Sequence, residues 1–142
     1  MNLFDKAGRA VMTVLLDRLI PAVDAMPAAG VLGVVDDIER LLTTEDRFVL
    51  ALRQFIATLP QDFTALPGDA QDECIAEIEA TRPDDFALVL EICYLAYYGR
   101  PDVHARIGWR TGPLQPRGFE LPPFDEAILE VVRRRSPFWR QT

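Results

Sequence analysis

The stretch from Phe86 to Tyr98 constrains this chain most, because thirteen consecutive residues carry a single charge, Glu91. Pro83 before it and Gly99 after it read as helix boundaries. Helical spacing divides the stretch into two apolar sides. Phe86, Val89, Leu90, Cys93 and Tyr97 make one, and Ala87, Tyr94, Leu95 and Tyr98 make the other. A helix that is apolar all round is buried over most of its circumference. The segment is therefore expected to be the central helix, or one whose second side is covered by the tail or by a partner.

Apolar residues at helical period supply the surrounding elements. The expected helices cover about 2–19, with Phe4, Ala7, Val11, Leu15 and Leu19 inward, and 31–42, with Val31, Val34, Val35, Ile38, Leu41 and Leu42 inward. A third covers about 44–59, with Phe48, Leu52, Phe55, Ile56 and Leu59 inward. A fourth covers about 69–81 on Cys74, Ile75 and Ile78, and a last one 125–135 on Phe124, Ile128, Val131 and Val132. Thr43 or Thr44 reads as an N-cap, with Glu45 and Asp46 in the first turn, where the helix dipole favours acids. Asp36, Asp37, Glu39 and Arg40 read as a solvated face. Strand alternation is absent. The expected fold is all-α, a compact bundle of five to six helices.

Between Gly99 and Pro123 nine of 25 residues are Gly or Pro, and no period is visible. Yet Val103, Ile107, Trp109, Leu114, Phe119 and Leu121 lie there, more large apolar groups than a solvated linker carries. The chain is thus read as one domain, 1–142. A helical body spans 1–99, an irregular wrapping segment 100–123, and a C-terminal helix with its tail 124–142.

A chain of 142 residues, 49% hydrophobic and 26% charged, has ordinary globular composition. The net charge of −7 argues against nucleic acid or an anionic membrane surface as the main partner. The charge is uneven. Residues 1–99 hold 7 Lys/Arg and 17 Asp/Glu, whereas residues 100–142 hold 8 Arg and 5 Asp/Glu. No apolar run approaches the length of a membrane span. Lys6 and Arg9 ahead of Ala10–Leu16 faintly resemble a leader, but Asp5, Asp17 and Arg18 interrupt the pattern. An amphipathic first helix is expected instead of a signal peptide. That implies the cytoplasm for the chain as it stands, or the periplasm if it is exported with its partner or a signal has been omitted.

Convergent chemistry is not legible. Cys74 and Cys93 sit in apolar helical patterns, and His104 is the only histidine, too few groups for a zinc or haem site. No glycine-rich phosphate loop follows a strand, so no flavin or nicotinamide site is read. Asp36-Asp37, Asp84-Asp85 and Asp125-Glu126 fall at helix starts or outward faces. Glu91 is a candidate buried carboxylate that would need an arginine or a tyrosine hydroxyl. The expectation is a chain with no catalytic residues and no cofactor of its own. The candidate partner-binding residues are Tyr97, Tyr98, Arg100, Trp109, Arg110, Leu114 and Gln115, which include the Tyr, Trp and Arg types enriched at interface hot spots. The alternative is a tail folded on its own body, with Trp109 beside the central helix.

Three ordered segments carry a resemblance. They are Leu16-Asp17-Arg18-Leu19-Ile20-Pro21-Ala22, followed by a small-residue loop and Gly33-Val34-Val35-Asp36-Asp37-Ile38; Tyr97-Tyr98-Gly99-x-Pro101; and Ile107-Gly108-Trp109 with the glycine/proline segment after it. Together they resemble the small subunit (subunit three) of bacterial gluconate 2-dehydrogenase and related sugar dehydrogenases. The resemblance implies a non-catalytic helical subunit bound to a large flavoprotein of the glucose-methanol-choline class. That subunit carries FAD and the substrate site, and a cytochrome c subunit often accepts the electrons. Members of the family typically bear a twin-arginine signal and help the large subunit mature; this chain begins near the family's mature region. The competing expectation is a free-standing helical binding module or chaperone for an unrelated protein.

Overall fold

The computed structural model describes residues 4–110, 112–113, 117–118, 120 and 123–135. Among them are seven α-helices: α1 (Lys6–Leu19), α2 (Val34–Leu41), α3 (Arg47–Thr58), α4 (Gly68–Thr81), α5 (Pro83–Tyr98), α6 (Pro101–Arg106) and α7 (Ala127–Arg133). A short 3₁₀ turn covers Phe63–Ala65, and the only strand-like feature of the described residues is an isolated Val23–Met26 bridge. The all-α expectation holds. The chain divides into two units, Met1–Thr111 and Gly112–Thr142.

In the first unit α5 is the central helix. It packs against α3, α2, α4 and α6. Val89, Ile92, Cys93, Ala96 and Tyr97 are buried, while Ala87, Tyr94, Leu95 and Tyr98 are exposed. The two sides seen in the sequence are therefore an inner and an outer one. α3 runs antiparallel to α5. Arg47 meets Glu91 at one end, the Phe55 and Phe86 rings lie 6.3 Å apart further along, and Gln54 accepts a 2.6 Å hydrogen bond from Arg82 at the other. Burying one Val, Leu, Ile or Phe side chain stabilises by about 1.5–3 kcal/mol.

Helix ends depart from the sequence reading in instructive ways. α1 starts at Lys6, where the Asp5 carboxylate accepts a 2.7 Å bond from the Gly8 N–H, an N-cap that satisfies one of the orphan donors of the first turn. Its buried face is Met12, Leu15 and Leu16; Ala7 is exposed, and Val11 and Leu19 are half-buried. Thr43 and Thr44 do not cap α3. Their hydroxyls donate back to the Arg40 and Leu41 carbonyls, closing the end of α2. α2 enters through Gly33, whose φ of 71° favours glycine. Val31, expected inward, is 77% exposed because it precedes that entry.

The body does not end at Gly99. Residues 101–106, expected to be irregular, form α6, with Pro101 in its first turn and Val103 fully buried. Proline fits the first helical turn, so the Pro/Gly density that reads as punctuation here also starts a helix. In the second unit, Asp125 accepts the Ala127 N–H at 2.9 Å and Glu130 pairs with Arg133. α7 buries none of its residues, and Phe124, Ile128, Val131 and Val132, expected inward, are exposed. Among the described residues of that unit none is buried.

Two measurements check this core. Ile92→Ala should cost about 2–5 kcal/mol in denaturant unfolding, the range for removing a fully buried aliphatic side chain. Burial also pushes the Cys93 thiol up to about 12. A thiol reagent at neutral pH should modify the half-exposed Cys74 in the native protein and reach Cys93 only as the protein unfolds.

Candidate protein-docking surface

The exposed side of α5 ends in an apolar ridge. Tyr94 and Leu95 lie about one helical turn before Tyr98, and the three keep 43%, 48% and 48% of their surface in solvent. The Tyr94 and Tyr98 rings are 6.0 Å apart, and Tyr97 meets Tyr98 edge to face at 5.1 Å and 89°. That last contact ties the outer ring to a buried one, so the ridge is held from beneath.

A depression lies on each side. One is lined by Pro21, Val23 and Met26 of the α1–α2 loop together with Tyr94 and Tyr98. The other is lined by Arg40, Leu41, Leu95, Gly99 and Arg100. Three polar anchors fix the first wall. The Asp17 carboxylate accepts the N–H groups of Gly30 and Val31 at 2.8 and 3.2 Å. The Tyr97 hydroxyl donates to the Pro27 carbonyl at 2.7 Å, and the Arg106 guanidinium donates to the Ala25 carbonyl at 2.9 Å. The loop can approach α1 closely because residue 30 is glycine: a Cβ there would lie 2.2 Å from the Thr13 carbonyl oxygen.

The second wall rests on charges. Asp37 is buried between Arg40 and Arg100, and Arg100 also holds Asp102 at 3.0 Å. The hydrogen bond from Arg100 keeps the Asp102 carboxyl below its ordinary range. At the far end of the ridge Glu91 is bound by Arg47 at 2.6 and 3.1 Å, and the Arg47 guanidinium carbon sits 4.1 Å from the Phe48 ring centroid. These charges are matched locally, so the face they border is apolar with a neutralised rim.

The expected site residues separate accordingly. Tyr98 is on the surface. Tyr97 is in the core, only 1% exposed, because its ring fills the inner side of α5 and its hydroxyl holds the loop. Arg100 is an internal tie from α6 to α2. Glu91 is at the surface, not buried, and its partner is an arginine. Trp109 is 61% exposed, its ring centroid 6.3 Å from that of His104, and Arg110 is exposed beside it. Leu114 and Gln115 lie outside the described residues, as do Phe119 and Leu121. Tyr94 and Leu95 are at the surface, on the second side of the helix, which the sequence reading left to be covered by the tail or by a partner. Asp37 was assigned to a solvated face, and its ion pair with Arg100, 63 residues on, left no local signal.

Among the described residues no group of three or more His, Cys, Asp or Glu side chains is placed to hold a metal ion, and no helix is long and apolar enough to cross a membrane. Cys93, buried as the neutral thiol, is not a nucleophile. Comparison with protein-family models, curated proteins and solved structures yields no match for this chain.

The ion pairs set an acid limit. Asp72, bonded through both oxygens to Arg18, and Asp102, bonded to Arg100, have depressed values in the folded state. Their stabilisation is complete above the unfolded carboxylate value of about 4 and is lost as pH falls through the lower folded values. Thermal midpoints should therefore fall below about pH 4, and Asp72→Asn with Asp102→Asn should flatten that fall while lowering the midpoint at neutral pH.

Proposed function

We propose that this chain is a non-catalytic accessory subunit that binds and stabilises, or helps mature, a large FAD-dependent dehydrogenase acting on a sugar, polyol or other alcohol. The observation that carries the binding role is the ridge of Tyr94, Leu95 and Tyr98 standing exposed on the central helix, with framed depressions beside it. Exposed aromatic side chains on a rigid support lose little entropy on docking and bring large contact area. Trp109, exposed on the same unit, is a further anchor.

The class of partner is drawn from the ordered resemblance to the gluconate 2-dehydrogenase small subunit. Residues carrying that likeness also build the frame: Asp17 anchors the loop, Gly33 admits α2, Asp37 ties α2 to α6, and Tyr97 joins core to loop. In this reading the flavin and the substrate site belong to the glucose-methanol-choline-type large subunit, with a cytochrome c subunit as electron acceptor where one is present. This chain contributes a shaped apolar face.

Co-expression with a glucose-methanol-choline-type flavoprotein partner should raise the yield of soluble, FAD-loaded enzyme. A flavoprotein equally soluble and active without this chain would count against the reading. Trp109→Ala and Tyr98→Ala should each weaken the complex by about thirtyfold, about 2 kcal/mol, with far-UV helix signal unchanged. Normal binding by both variants would move the interface elsewhere.

A further inference from the structure

Trp109 is well exposed, yet its place is fixed by the way α6 ends. The Trp109 N–H donates to the His104 carbonyl at 2.8 Å, and the Gly108 N–H donates to the Ala105 carbonyl at 3.4 Å. With Gly108 at a φ of 70°, these two bonds make a left-handed glycine cap, which satisfies carbonyls that the helix leaves unpaired. In such a cap the residue after the glycine commonly packs back on the last turn. Here that residue is Trp109, and its ring centroid comes to 6.3 Å from that of His104.

The helix that carries this cap is itself tied down. Val103 is fully buried, Arg100 at the head of α6 pairs with Asp37 of α2, and Arg106 at its tail donates to the Ala25 carbonyl of the α1–α2 loop at 2.9 Å. Val23 and Met26 of that loop wall the depression beside Tyr94 and Tyr98. The helix end that sets Trp109 thus also holds one wall of the aromatic ridge. A helix of six residues does not persist alone in water, so its geometry depends on these ties and on the cap. Nothing lies within 4 Å of a Cβ built on Gly108, which leaves the positive φ as the only obstacle to another residue there.

We propose that Gly108 is a positioning residue for partner binding: its left-handed turn folds Trp109 back on α6, so that the indole is presented in one place as a ready-made anchor. The partner's identity rests on the accessory-subunit reading above; the turn is read from the backbone itself. An anchor already held in its bound place gives up little freedom on docking. A residue that holds the turn only part of the time leaves the indole in place for that fraction of molecules, and the apparent Kd rises by the reciprocal of the fraction. Alanine resists the left-handed conformation, whereas asparagine adopts it more readily. The two substitutions therefore separate the turn from the mere loss of a glycine.

The test uses the full chain and has two arms. In the first, Trp139→Phe leaves Trp109 as the sole tryptophan, and its fluorescence anisotropy decay is read on the chain alone. Gly108→Ala should add a fast nanosecond component, and Gly108→Asn should add much less. In the second, affinity for a glucose-methanol-choline-type flavoprotein is measured. Gly108→Ala should weaken it by about five- to tenfold and Gly108→Asn by no more than about twofold. In a Trp109→Ala background Gly108→Ala should cause no further loss, whereas in a Tyr98→Ala background it should keep its full effect. An indole equally restrained in Gly108→Ala would overturn the proposal, as would a freed indole with unchanged affinity. A further loss in the Trp109→Ala background would overturn it too, by showing that Gly108 supports the surface at large and not the indole. If the unaltered chain binds no flavoprotein, the accessory-subunit reading falls and the binding role of Gly108 with it. The anisotropy arm, which needs no partner, tells that failure from a failure of the turn.

Discussion

Burial of one side of α5 is the constraint from which the rest of the body follows. Val89, Ile92, Cys93 and Tyr97 leave water together, and α2, α3 and α4 are arranged to cover them. Because the helix is apolar all round, covering one side obliges the other to remain apolar and outward. The exposed ridge is thus the remainder of the same sequence that makes the core. Tyr97 joins the two, since its ring lies in the core, braces Tyr98, and sends its hydroxyl to the α1–α2 loop.

Charge has a different part here. Asp37 with Arg40 and Arg100, Arg9 with Asp36 and Glu39, Arg18 with Asp72, and Arg82 with Gln54 and Asp85 join segments distant in sequence or close helix ends. Ion pairs of this exposure contribute little stability each. Their directionality fixes how the helices are set around α5, and Arg100 carries the body past Gly99 to include α6. A buried carboxylate bridged by two guanidiniums accepts few alternative arrangements of its neighbours.

The long periodic helices were legible in the sequence because their apolar spacing is a local property. α3, α4 and α5 differ from their expected spans by few residues, and the two sides of α5 separate as the spacing requires. What escaped was what depends on distance or on very short elements. α6 holds six residues and one buried side chain, too little for a period to show. The 3₁₀ turn at Phe63 is fixed by Gln71, which donates to the Phe63 carbonyl at 3.0 Å from the next helix. Asp37 looked solvated because its partner Arg100 is remote. Of the proposed contact surface, Tyr98 and Trp109 were legible as residue types. That Tyr97 turns inward while Tyr94 turns outward is settled only by which side of α5 the neighbouring helices take.

Gly30 and Gly33 stand three residues apart and are favoured for unlike reasons. At position 30 the obstacle is volume, since neighbouring backbone occupies the place where a methyl group would go. At position 33 nothing lies within 4 Å of a Cβ, and the obstacle is handedness, since φ is positive. A mirror-image alanine would suit position 33 and restrict the unfolded chain as well. The entry to α2 is, in that sense, a place where the chain asks for a residue of the opposite chirality and glycine is the nearest that the genetic code supplies.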